Sequence, residues 1–351
     1  MESILARLQG LIAIPSSSRE EDGTAEFIKQ ELIKMDIRPE RVGHNVLARN
    51  KYWVEKAPVL VLNSHHDTVR PASSYTRDPY TPTIQSGKLF GLGSNDAGGA
   101  LSCLIQVFID YYEQKHLPFN LLLIASAEEE ISGPGGIQSV LQNIPVPWGA
   151  IVGEPTLMKA AVAERGLMVI DGQSEGVAGH AARQEGKNAI YLTADDIEVI
   201  RNLTFDRKSS YLPDTQAVVT QIQAGSQHNV IPDRCDFVVD VRINDRYSNE
   251  EVFAILDTAT RSHLKARSFR LNSSFLPGDH PLSMTIDSLG IEKYGSPTLS
   301  DQALMNFPSL KIGPGDSARS HMADEFIFLA ELEEGYRIYR NIIQTLKNHM
   351  T

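Results

Sequence analysis

The sequence predicts an α/β fold: a larger domain of alternating strands and helices, interrupted by a smaller ferredoxin-like α+β domain. Three observations carry that expectation. Strand-length apolar runs such as "PVLVLN" and "NLLLIASA" alternate with helix-period segments through the first part of the chain, the pattern of a sheet with helices on its faces. From roughly residue 164 to 275 the rhythm changes to β-α-β-β-α-β, which is the ferredoxin-like order. After Pro277 the sequence returns to helices and short strands. A chain of 351 residues is long enough for two cores, so the expected division is 1–163 and 276–351 for the larger domain and 164–275 for the inserted one.

The elements follow in order. "MESILARLQGLIAIPSSS" puts Ile4, Leu5, Leu8, Leu11 and Ile12 on one helical face and carries an acid where a signal peptide would be basic, so it reads as the docking helix of a cytoplasmic protein. A helix is expected over Gly23 to Met35, then the strand-like "NVLARN", the buried run "PVLVLNSHH", a helix over Gly98 to Glu113 and the strand "NLLLIASA". The inserted segment offers strands at "LMVIDGQSE", "AVVTQIQA", "DFVVDVRI" and "RSFRLNSS", with helices near Asn188 to Leu203 and Asn249 to Leu264. A short strand in "LMNFPSLKIG" and a long helix over Glu325 to Lys347 close the chain. No apolar stretch approaches the roughly 20 residues needed to span a bilayer.

Composition disfavours nucleic acid or anionic membrane as the main partner, with a local basic pocket still allowed. The net charge of -11 repels nucleic acid and anionic membrane surfaces. Cys103 and Cys235 stand far apart in apolar surroundings, which reads as buried free thiols rather than a disulfide or a thiolate metal site.

Acids and histidines recur after the strands of the larger domain. In "SHHDTV" strand alternation puts His65 and Asp67 on one face and His66 on the other. Asp96 sits in the glycine-rich "GLGSNDAGG", Glu128, Glu129 and Glu130 follow "LLLIASA", Glu154 follows "GAIVG", and His321 ends "GPGDSARSH". Taken singly, each has an ordinary explanation as a surface acid or a hydrogen-bonded histidine. Gathered at the carboxyl ends of buried strands, such carboxylates repel one another unless protonated or neutralised by a cation. Imidazole with carboxylate and no thiolate suits zinc, cobalt or manganese better than calcium. Five candidates and a spare glutamate point to two ions sharing a carboxylate, an arrangement that activates water and polarises a carbonyl. A dinucleotide loop fits poorly, because Asp96 stands where the third glycine belongs; no G-x-S-x-G elbow, phosphate loop or H-E-x-x-H occurs.

With these motifs in order, the sequence resembles the dinuclear metallohydrolases that include acetylornithine deacetylase, succinyl-diaminopimelate desuccinylase and glutamate carboxypeptidases. The resemblance covers nearly the whole chain. It implies a mixed-sheet, zinc peptidase-like α/β catalytic domain and an inserted dimerisation or lid domain. By position it makes His65 a metal ligand and Asp67 the carboxylate that orients it, with His66 a bystander. Asp96 becomes the bridging carboxylate; Ala97 and Gly98 fill positions where the family has x-K, so its lysine is missing here. "EEEISGPG" resembles D-E-E-x-x-x-G, which makes Glu129 the general base and Glu130 a ligand. Glu154 is assigned to the first metal and His321 to the second, with Glu325 as a supporting or helix-starting acid. In "GVAGHAARQEGKNAI" His180 is implied to reach a partner subunit's site and help hold the oxyanion. "SQHNVIPDRCDFVVDVR" offers Asn229 and Arg242 for the substrate's α-carboxylate, with a structural salt bridge the rival reading of Arg242.

The expected activity is hydrolysis of the Nα-acyl amide of an acylated amino acid by a homodimer with two divalent ions, zinc or alternatively cobalt. The fuller match is to short acetylornithine deacetylase-like proteins of arginine biosynthesis, with acetyl- or succinyl-citrulline and succinyl-ornithine as related substrates. Arg70, Arg77 and Arg183 lie in loops that could read a second carboxylate, with surface placement the default for each. The alternatives are a succinyl-diaminopimelate desuccinylase, a dipeptidase, and a non-catalytic metal-holding dimer; the last has no need of Glu129.

Overall fold

The computed structural model describes residues 1–183 and 185–350, and they form two compact units. The first unit comprises Met1–Val162, Phe275–Tyr294 and Ser300–Thr351, and the second comprises Ala163–Ser274 with Gly295–Leu299. That last short excursion leaves no mark in the sequence pattern.

The sheet of the first unit is mixed. Val59–His65 runs parallel to Asn120–Ser126 on one side and to Gly149–Val152 on the other. Ser309–Lys311 continues parallel beside Gly149–Val152, whereas Asn45–Arg49 is antiparallel to Asn120–Ser126. Every residue of Val59–His65 and Asn120–Ser126 is buried, as expected of parallel strands covered on both faces. Alternation divides them between two cores. Leu60, Leu62, Leu121 and Leu123 pack with Ile4, Leu8, Ile28, Phe108 and Ile342 from the helices Glu2–Ile12, Asp22–Lys34, Gly99–Tyr112 and Leu329–Met350. Val61, Leu122 and Ile124 pack on the other face with Ile137 and Val140.

Register decides where the loops emerge. His65 pairs with Ser126, Asn63 lies opposite both Ile124 and Val152, and Lys311 lies opposite Val152. The four parallel strands therefore end together, and the loops that follow them open at one edge of the sheet.

The second unit is a four-stranded antiparallel sheet in the order Gln216–Ala224, Arg234–Ile243, Gly166–Glu175, His263–Ala266. Along Arg234–Ile243 buried and half-exposed residues alternate. Its inward side chains Phe237, Val239, Val241 and Ile243 form a core with Met168, Ile170, Val252 and Leu256. The helices are Ala189–Asn202 and Asn249–Ala259, the second opened by a capping box between Ser248 and Glu251.

Three expectations are corrected. The fourth strand of the inserted unit is His263–Ala266 rather than "RSFRLNSS", and its helix stops at Ala259 rather than Leu264. The reason is tertiary: the carboxylate of buried Asp196 accepts from Arg261 N and Ser262 N at 3.1 and 2.8 Å, so the chain turns there. The C-terminal helix begins at Leu329, not Glu325, because Phe326–Phe328 is a strand paired with Lys88–Phe90, as the aromatic and β-branched "FIF" favours. Among the described residues no helix is long and apolar enough to cross a membrane.

Candidate metal centre

His65 is the last residue of its strand, and its side chain is fully buried. Its Nδ1 lies 3.0 Å from the main-chain oxygen of Asp67 and 3.4 Å from Asp67 Oδ1. Backbone and carboxylate of Asp67 thus both face Nδ1, and Nε2 is left to face the site. His66 points the other way, between Thr24 Oγ1 at 2.9 Å and the main-chain oxygen of His44 at 3.1 Å. Burial pushes its pKa down to about 4.

Asp67 has a second task. Its Oδ1 accepts from Glu129 N at 3.1 Å, and its Oδ2 accepts from Glu130 N at 3.2 Å and from Ser18 Oγ at 2.7 Å. One buried carboxylate thus holds both the histidine loop and the glutamate turn.

Asp96 is placed by a comparable device. Glu325, buried, accepts from Gly93 N at 3.1 Å, Asn95 N at 2.8 Å and Asp96 N at 3.0 Å. Asn95 then bonds both backbone groups of Asp316, tying the Asp96 loop to the loop that carries His321. As a result Asp96 Oδ1 lies 3.2 Å from His65 Nε2 while its Oδ2 lies 3.7 Å from His321 Nε2. One carboxylate faces two imidazoles, one with each oxygen.

The three glutamates separate cleanly. Glu128 turns away: its Oε2 accepts from Gly135 N at 3.2 Å, and it lies so close over the glycine loop that a Cβ at Gly133 would stand 1.9 Å from Oε2. Glu129 Oε2 is 3.9 Å from His65 Nε2. Glu130 Oε2 is 2.9 Å from His321 Nε2. Glu154, following Gly149–Val152, places Oε1 3.8 Å from His65 Nε2.

Burial, with the charge of neighbouring carboxylates, pushes Glu129 and Glu154 well above the usual carboxylate range. Asp96 is held below it: burial pushes it up, but the hydrogen bond and charge of His65, the hydrogen bond from Ser320 and the charge of His321 together outweigh that. The hydrogen bond to Glu130 raises His321 to about 9. Carboxylates crowded in this way favour a cation among them. The donor spacing fits metal ions: two ligands each about 2.1 Å from one ion stand roughly 3–4 Å apart, and the donor atoms of His65, Asp96 and Glu130, like those of His65, Glu129 and Glu154, lie within 4.8 Å of one another. Nitrogen and oxygen donors without thiolate suit zinc and its neighbours.

Asp301 is a residue that the sequence reading missed. It is buried, accepts from Ser126 Oγ at 2.6 Å, and is raised to about 6 by burial; its charge acts on both Glu129 and Glu154. A single aspartate in a polar loop gives no spacing signal.

His180, Asn229 and Arg242 all belong to the second unit. Gly179–His180 pairs with Val230–Ile231, and Ala181 N donates to Asn229 O at 3.0 Å, so His180 and Asn229 are neighbours through backbone. His180 is exposed. The Arg242 guanidinium is engaged in a two-point pair with Asp240, at 2.8 and 3.1 Å. Arg77 bonds Gln85 and lies over the Phe90 ring; Arg70 and Arg183 are exposed.

The description of peptidase family M20/M25/M40 matches residues 61–345. The chain belongs to this family. Among curated relatives, this M20 protein is 30% identical to an acetylornithine deacetylase of Proteus mirabilis over 81% of this chain and 79% of the other. It is 25% identical to a succinyl-diaminopimelate desuccinylase of Delftia acidovorans over 99% of both chains. Its fold matches an aminopeptidase from Bacillus cereus with a TM-score of 0.75, at 17% identity and 98% coverage of each chain. It also matches a dinuclear metal-binding M20 peptidase from Bacillus subtilis with a TM-score of 0.73, at 16% identity over 97% of this chain and 96% of that one. This M20 protein is accordingly a metal-dependent amidohydrolase with the mixed-sheet fold of its family.

Proposed function

We propose that this M20 amidohydrolase removes the Nα-acyl group of an acylated amino acid, with N-acetylornithine the first choice and acetyl- or succinyl-citrulline and succinyl-ornithine close behind, as a cytoplasmic homodimer in arginine biosynthesis. The observation that carries the chemistry is Asp96 facing His65 with one oxygen and His321 with the other, with Glu129 beside them. The choice of substrate is supported by the likeness to the Proteus acetylornithine deacetylase.

In this reading His65, Asp96 and Glu154 would hold one divalent ion and Asp96, Glu130 and His321 the other, zinc with cobalt as the alternative. Such ions supply acidity to water and polarisation to the acyl carbonyl. Glu129 takes a proton from the attacking water, whose oxygen bonds to the acyl carbon. When the C–N bond breaks, Glu129 returns that proton to the departing amine, giving a free carboxylic acid and a free amino acid. Burial suits Glu129 to this work, since it raises the affinity for the proton it must carry. His180 from the other protomer steadies the oxyanion, and Asn229 with Arg242 binds the α-carboxylate, Arg242 exchanging Asp240 for substrate. Val218 and Ile222, exposed on the edge strand Gln216–Ala224, favour the second unit as the dimer surface.

The test is release of free α-amine by zinc- or cobalt-loaded protein from N-acetylornithine, N-acetylcitrulline, their N-succinyl counterparts, N-succinyl-diaminopimelate and several dipeptides. Cleavage of an acylated ornithine or citrulline is expected. Cleavage of only diaminopimelate or dipeptide substrates would keep the mechanism and overturn the substrate; silence with two metals bound would favour a metal-holding binding protein.

A further inference from the structure

Three consecutive backbone amides, those of Glu128, Glu129 and Glu130, each donate to a carboxylate. Two of them go to Asp67. The first goes to Glu21, 3.0 Å from Glu128 N to Oε1. Glu21 has no exposed surface. Its Oε1 also accepts from Arg19 N at 2.7 Å, and its Oε2 lies 2.6 Å from His44 Nδ1. The same stretch of chain sends Ser18 Oγ to Asp67 and pairs Ser16 O with Thr68 N at 2.9 Å.

Glu128 is the pivot of the turn. It sits in the left-handed region at φ 53°, ψ 22°, which a glutamate adopts only when its surroundings enforce it. Every polar group of Glu128 is committed: its N–H to Glu21, its carbonyl to Gly133 N at 2.8 Å, its carboxylate to Gly135 N. A chain slipped by one residue would offer Glu21 the wrong amide and point a different pair of glutamates at the site. We infer that Glu21 is a positioning residue: by capturing the Glu128 amide it selects which two of three identical side chains enter the metal site.

Glu21 touches none of the donor atoms of the centre and acts through backbone alone. The inference rests on the reading of Glu129 as proton carrier and Glu130 as ligand of the second ion. Three substitutions separate reach from charge. Glu21→Gln keeps an oxygen at the Glu128 amide and loses the negative charge beside His44. Glu21→Asp keeps the charge and withdraws the oxygen by one methylene. Glu21→Ala loses both.

The experiment measures zinc binding by isothermal titration calorimetry, and kcat and KM at saturating zinc, on the full chain, with circular dichroism to check folding. For Glu21→Ala and Glu21→Asp the weaker of the two zinc sites is expected to lose about 10–100-fold in affinity, and kcat to fall by up to about 100-fold with KM little changed. Glu21→Gln is expected to stay close to wild type in both. A role limited to burying charge with His44 predicts the reverse order, Glu21→Asp above Glu21→Gln, and that order would overturn the inference. So would wild-type zinc affinity and kcat in folded Glu21→Ala. If the wild-type protein cleaves none of the panel, the proposed function fails, and the calorimetry still decides the role of Glu21.

Discussion

The loop edge of the first unit and the open face of the second both carry many acids, but they settle them differently. On the sheet face of the second unit three acids each pair with a guanidinium: Asp171 with Arg267 at 2.7 Å, Asp236 with Arg234 at 2.8 Å, Asp240 with Arg242 at 2.8 Å. These pairs are exposed and self-sufficient. At the loop edge Asp96, Glu129, Glu130, Glu154 and Asp301 are buried or nearly so, and face His65, His321 and, more remotely, Lys311. The lesson is that acid content does not mark a metal site. What marks it is acid that the fold buries without a matching cation, because desolvated charge must find a counter-charge or a proton.

The largest effect that would sharpen this contrast is metal removal. Chelation is expected to abolish hydrolysis and lower Tm, since each ion bound at 100 times its Kd contributes about 2.7 kcal/mol to the folded state. Differential scanning calorimetry with and without zinc reads this; an unchanged Tm would place the acids of the loop edge on the same footing as the paired acids of the sheet.

Glu129→Gln comes next. It is expected to keep two metals per chain by elemental analysis while kcat falls by about 10²–10⁴-fold. Near-normal turnover would remove Glu129 from the mechanism.

A smaller effect concerns Arg242, which both readings claim. If it binds substrate, Arg242→Lys raises KM by about tenfold, roughly the worth of one charge-assisted hydrogen bond, whereas Asp240→Asn leaves KM near wild type. Equal and slight effects of the two would make the pair purely structural, worth at most about 1 kcal/mol at an exposed site.

The smallest effect is on stability against pH. His280 caps the helix Pro281–Ser288 by accepting from Leu282 N through Nδ1 at 3.2 Å and lies against Trp148. Burial lowers its pKa, so the folded state prefers the neutral ring. Its contribution is full above the unfolded value near 6.5 and is lost as pH falls below it, because the unfolded chain takes up the proton more readily. His280→Asn keeps a capping acceptor that does not titrate in this range, and unfolding midpoints between pH 7 and 5 should fall less steeply for it than for wild type.

The elements were legible where local pattern decides. The buried strands before His65 and after Phe119, the helix after Asp96 and the first three strands of the insertion all follow from periodicity, and each stands within a residue or two of its expected place. The fourth inserted strand was not legible, because Asp196 ends the preceding helix from a position remote in sequence. Nor was the strand Phe326–Phe328, whose partner Lys88–Phe90 lies far back along the chain.

By itself the sequence determined the chemical inventory: histidines and carboxylates in the loops that follow strands, no thiolate among them, and His65 and Asp67 separated from His66 by strand alternation. Those are consequences of residue type and period, which need no partner to express. Only the tertiary structure decided how the inventory is used. Identical neighbours such as Glu128, Glu129 and Glu130 have the same propensity and the same charge, so nothing local can tell them apart; amides captured by Glu21 and Asp67 do. Asp301, first residue of the short helical turn Asp301–Leu304, is held by Ser126, and its charge acts on Glu129. Selection among chemically equal groups comes from contacts between distant segments, and those exist only once the chain has folded.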